Sequence, residues 1–132
     1  MSNADMNDLE IAPPAVVSQA AHDFAAALAE TAEFKAFEQA ASVVNEDAAA
    51  ERARMAFQAK QQSLQALLRL NAVSAQEQAE LERLRQAFLS LPTVAAYAQA
   101  EADLVAVCQA AGDLLSRHIG IDFATACASG CC

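Results

Sequence analysis

The 132-residue chain has no tryptophan, one tyrosine and only six phenylalanines. So few rings exclude a core built on aromatic packing and leave leucine, valine and the plentiful alanine to fill the interior. Three glycines and three prolines are too few for a β-sandwich or barrel, which needs a turn about every ten residues. Basic residues are also scarce. Eight stand against seventeen acids, for a net charge of −9, which repels a phosphate backbone. Arg52 and Arg54 are interleaved with Glu51, and Arg83 and Arg85 with Glu80 and Glu82, so these bases read as a solvated mixed-charge face and no direct nucleic-acid partner is expected. Nor is there a run of roughly 20 apolar residues of the kind that spans a membrane; His22, Asp23 and Glu30 interrupt the alanine-rich stretches. The acidic, polar start Met1 to Glu10 is the opposite of a signal peptide. A cytoplasmic protein with no membrane partner is expected, and the composition is bacterial in type.

What the chain does have is an abundance of Ala, Glu, Gln, Leu and Arg, the strong helix formers. The fold class is therefore all-α, with about five helices in one antiparallel bundle built round a long central helical hairpin. Its length suits a single domain. With so few large side chains the core is expected to be thin, and a thin core predicts self-association into a homodimer or larger oligomer.

Residues 1–14 read as a flexible acidic arm, 15–120 as the helical domain and 121–132 as a separate tail. The first helix opens at Pro13-Pro14, where proline is favoured, and places Val17, Ala21, Phe24 and Leu28 on one face. Thr31 is the expected N-cap of a second helix carrying Phe34, Phe37, Ala41 and Val44. Asn45 is expected to cap a long third helix, with Ala53, Phe57, Leu64, Leu67 and Leu68 inward and an end near Asn71. Ser74-Ala75-Gln76-Glu77 is a capping box that starts the fourth. There Leu81, Leu84, Phe88 and Leu91 form a narrow seam suited to pairing with the third helix, and this seam is the candidate interaction surface. Pro92 ends it. The last helix carries Val94, Tyr97, Leu104, Val107, Cys108, Ala111, Leu114 and Leu115 on one side, and Gly120 stops it.

Three of the four cysteines, Cys127, Cys131 and Cys132, fall in the last six residues beside Gly130. In a reducing compartment clustered thiols point to metal ligation or thiol exchange rather than to a structural disulfide. Thiolates suit an iron–sulfur cluster or another thiophilic metal, although C-x3-C-C is no standard zinc or ferredoxin spacing. Four ligands complete a tetrahedral site, so a fourth must come from Cys108, His118, a second subunit or an exogenous group. Cys108 shares the face of Leu104, Ala111 and Leu115 and reads as a small core residue in preference to a ligand. His118, at the end of the last helix, reads as a capping cation in preference to a ligand. No nucleophile elbow, Walker loop, zinc-protease motif or dinucleotide fingerprint is present, so no catalytic residue is assigned and no enzyme is expected.

Four segments in order carry a resemblance: Thr31-Ala32-Glu33-Phe34-Lys35-Ala36-Phe37, then Phe57 to Gln62, then Leu91-Pro92-Thr93-Val94 with Tyr97, then Ile119-Gly120 with Phe123 and the cysteine ending. Over roughly residues 15 to 132 the chain resembles the YlbF/YmcA family, with Gly130-Cys131-Cys132 the most specific piece. The resemblance implies a dimeric or larger helical regulator of competence, sporulation and biofilm formation. It would act as a subunit of a multi-protein complex that influences RNA processing, some members of which are associated with iron–sulfur clusters. Cys127, Cys131 and Cys132 would then be the ligands. The expected function is a non-catalytic regulatory subunit, and the alternative is a stand-alone metal-binding or thiol redox protein using the tail.

Overall fold

The computed structural model describes residues 13–122 and residue 125. Among the described residues there are six helices and no strand: α1 (Pro14–Ala29), α2 (Ala32–Glu46), α3 (Ala48–Ser63), α4 (Gln65–Arg69), α5 (Ala75–Leu89) and α6 (Pro92–Ile119). The all-α expectation holds, with one helix more than expected. Most of the arm and tail lie outside the described residues.

Local chemistry sets most of the boundaries as the sequence implies. Pro14 opens α1 and Pro92 opens α6, where the missing N–H costs nothing. Thr31 Oγ1 accepts from the Phe34 N–H at 3.2 Å, and Ser74 Oγ accepts from the Glu77 N–H at 3.2 Å. Gly120 ends α6 at φ 70°, a left-handed conformation that penalises a Cβ.

Two boundaries differ. α2 runs through Asn45, and Asp47 rather than Asn45 caps α3, its Oδ1 accepting from the Ala49 N–H at 2.9 Å and the Ala50 N–H at 3.3 Å. A carboxylate at the positive end of a helix dipole is the stronger cap, and Asp47 also has a second partner for its other oxygen. The expected long third helix breaks at Leu64, whose backbone leaves helical geometry at φ −99° and ψ 0°. The bend tucks Leu64 inside, 3% exposed, and turns Leu67 and Leu68 outward, contrary to expectation, because among the described residues α4 packs chiefly on the helix it follows.

The helices do not form one bundle round a central hairpin. α2 lies antiparallel on α6, with the rings of Phe37 and Tyr97 5.3 Å apart between them. α3 lies antiparallel on α5, where Lys60 Nζ stands 3.9 Å from Glu77 Oε1. The two pairs meet end to end at the α2–α3 and α5–α6 turns. The core is thin, as the composition implies: among the described residues the buried apolar ones are Ala50, Leu64, Val94 and Ala100.

The pairs are unequal in length. At 1.5 Å per residue the 28 residues of α6 run about 42 Å and the 15 of α2 about 22 Å. Glu33, near the start of α2, shares a shallow hollow with Val107 and Ala110. Past that point, among the described residues, no other helix makes more than a slight contact with α6.

Candidate interaction surfaces

Most of the basic side chains are engaged by acids of the same chain. Arg54 pairs with Glu51 at 2.5 Å, Arg83 with Glu80 at 2.7 Å and Arg85 with Glu82 at 3.2 Å, each three residues apart on one helix, and Lys35 pairs with Glu30 at 3.1 Å. Hydrogen bonds from Arg54 and from Arg83 hold the Glu51 and Glu80 carboxyls below the ordinary range, and a hydrogen bond from the Gln86 amide does the same for Glu82. All these pairs are exposed and contribute little to stability.

The seam residues Leu81, Leu84 and Phe88 are half-buried along α5, which pairs with α3, whereas Leu91, also half-buried, lies past its end as the N-cap of α6. At its C-terminal end the seam enters the junction of the two helix pairs. There Val44, Ala50, Phe88, Val94 and Tyr97 line a concavity of about 430 Å³, with the Arg54–Glu51 pair at its edge. The junction is tied by Thr93 Oγ1, which donates to Asp47 Oδ2 at 2.5 Å. That hydrogen bond is the main cause of a lowered Asp47 pKa, followed by the Ala50 amide.

Of the proposed metal ligands, Cys127, Cys131 and Cys132 lie outside the described residues. Cys108 is exposed, which corrects its reading as a core residue: it is level with the hollow that Glu33 shares with Val107 and Ala110, but lies off the half-buried face of Leu104, Val107 and Ala111. His118 is exposed in the last turn of α6, with Arg117 beside it, where cations complement the negative end of the dipole. Ten residues separate Cys108 from His118, about 15 Å along the helix axis, whereas ligands of one tetrahedral ion lie within about 2.3 Å of it. One ion cannot take both. Among the described residues no group of three or more His, Cys, Asp or Glu side chains could hold a metal.

The largest departure from expectation lies elsewhere. On α1, residues 13–27 are all exposed, with Phe24 at 49%. On the overrunning end of α6, Leu114, Leu115 and Ile119 are exposed as well, Leu115 at 44%. The sequence places Val17, Phe24, Leu114 and Leu115 on apolar helix faces, and the structure leaves all four exposed. The available signal was length, since a 28-residue helix overruns a 15-residue neighbour whatever its composition.

Residues 17–119 match the family model described as control of competence regulator ComK, YlbF/YmcA. The chain belongs to the YlbF/YmcA family. The match starts inside α1 and ends at Ile119, so it covers all of α2 to α6 and leaves out the cysteine tail. The helical domain, not the Gly130-Cys131-Cys132 ending, carries the membership. No curated protein and no solved structure matches the chain significantly. Among the described residues of this YlbF/YmcA member, no helix is long and apolar enough to cross a membrane.

Proposed function

We propose that this YlbF/YmcA protein is a non-catalytic regulatory subunit of the cytoplasm that works by helix-to-helix assembly, with a second copy of itself and with other proteins of a complex. The observation that carries the reading is the uncovered apolar surface of α1 and of the end of α6. Soluble monomers seldom leave contiguous apolar faces open to water, and such faces mark contact surfaces. The family's link to competence regulation supports a regulatory role, and a thin core supports a chain that completes its burial on a partner.

Affinity purification of the full chain from its host tests this. Stoichiometric co-purifying proteins are expected with the wild type and are expected to leave with Phe24→Glu, a substitution at an exposed position that leaves helical content unchanged. A wild-type chain that elutes alone would overturn the multi-protein part of the reading.

A further inference from the structure

Four helix ends converge at the junction of the two pairs. Asp47 alone separates α2 from α3, and only Ser90 and Leu91 separate α5 from α6. The concavity there, of about 430 Å³, has small side chains on three of its helices, Ala41 of α2, Ala50 of α3 and Ala98 of α6. Alanine cannot reach across such a space, so the hollow stays open. A volume of roughly 300–1,000 Å³ between helices is the size that encloses a small organic molecule.

The larger lining residues are apolar and come from both pairs. Phe88 and Leu89 stand on α5, Val44 on α2, and Val94 and Tyr97 on α6. An occupant that touches Phe88 and Tyr97 together therefore bears on the angle between the pairs.

Charge selects the sign of that occupant. The lining carries two carboxylates, Glu51 and Glu101, against one cation, Arg54. Arg54 is already engaged: its Nε donates to Glu51 Oε2 at 2.9 Å, its Nη2 to Glu51 Oε1, and its Nη1 to Gln58 Oε1 at 2.9 Å. Among the described residues no ion pair reaches Glu101, about one turn beyond Tyr97 on α6. An anion would therefore meet a net negative lining on a chain of net charge −9, with the guanidinium turned to its own partners. An ammonium group would meet a carboxylate still open to it.

We propose that the junction concavity binds a small organic cation with an apolar body, the body against Val44, Phe88 and Val94 and the charged end at Glu101. The site does not depend on the assembly surfaces of α1 and α6. It gives a regulatory protein an input of its own, because the occupant bridges helices of both pairs.

The test titrates the full chain with phenylbutylammonium, phenylbutanol and phenylbutyrate and follows its aromatic resonances by NMR. The ammonium probe is expected to shift Phe88 and Tyr97 more than the exposed Phe24 of α1, with a Kd on the order of 1 mM. The alcohol is expected to bind more weakly and the carboxylate most weakly. A chain of net charge −9 attracts any cation over its whole surface, so the decisive variant is Glu101→Gln. It is expected to weaken the ammonium probe about threefold and to leave the alcohol unchanged. Ala98→Phe, at an exposed position, fills the hollow and is expected to abolish the shifts from all three probes, with unchanged helical content by circular dichroism. Shifts no larger at Phe88 and Tyr97 than at Phe24 would overturn the proposal. So would a Glu101→Gln chain that binds the ammonium probe as tightly as the wild type, or undiminished binding in Ala98→Phe.

Discussion

Thr93 Oγ1 donates a hydrogen bond of 2.5 Å to Asp47 Oδ2, joining residues 46 positions apart. The same carboxylate caps α3 through the Ala49 and Ala50 amides. One side chain thus sets the start of one helix pair and fixes it to the start of α6 in the other. Thr93→Val keeps the shape and removes the donor. It is expected to lower the thermal midpoint by a few degrees and to broaden the distance distribution between spin labels at the far ends of α5 and α6. An unchanged distribution would show that packing alone fixes the two pairs.

Acid should loosen the molecule. Asp47, Glu51, Glu80 and Glu82 all titrate below their ordinary values, held down by hydrogen bonds from Thr93, Arg54, Arg83 and Gln86 respectively. Their folded pKa values lie below their unfolded ones. The stability they contribute is therefore present above the unfolded value of about 4 and is lost as pH falls through the folded values. Helical content by circular dichroism is expected to hold from neutral pH to about 5 and to decline below about 4. In Thr93→Val, the Asp47 carboxyl resonance should titrate at higher pH than in the wild type.

Leu64 marks the bend between α3 and α4 and is 3% exposed. With few other buried side chains to share the load, Leu64→Ala is expected to cost about 2–4 kcal/mol in denaturant unfolding. A loss under about 1 kcal/mol would mean that the site collapses freely round the smaller residue.

Were Cys127, Cys131 and Cys132 to recruit a thiophilic ion, that ion could take from the same chain at most one of Cys108 and His118, which stand about 15 Å apart along α6. Metal analysis after anaerobic purification should find that no more than one of Cys108→Ser and His118→Ala lowers the metal content. Equal losses from both would contradict the geometry.

How much of this was legible in the sequence follows from what each signal encodes. Caps are local, so Thr31, Ser74, Pro92 and Gly120 were readable from a few neighbours. Asp47 was not, because its second partner, Thr93, is remote in the chain. The break at Leu64 was hidden for a related reason: neither glycine nor proline marks it, and it exists to bury one leucine. The apolar faces of α1 and α6 were visible as periodicity, but spacing of three and four is the same whether a face meets its own chain or another. That ambiguity placed Cys108 and Leu115 in a core that the structure does not give them.

The central claim is that the apolar faces of α1 and α6 are contact surfaces between copies, and the molar mass of the full chain in solution tests it most directly. Light scattering at tens of micromolar should give twice the 13.9 kDa of one chain for the wild type and a single chain for Phe24→Glu. A wild-type mass of 13.9 kDa under those conditions would contradict the account.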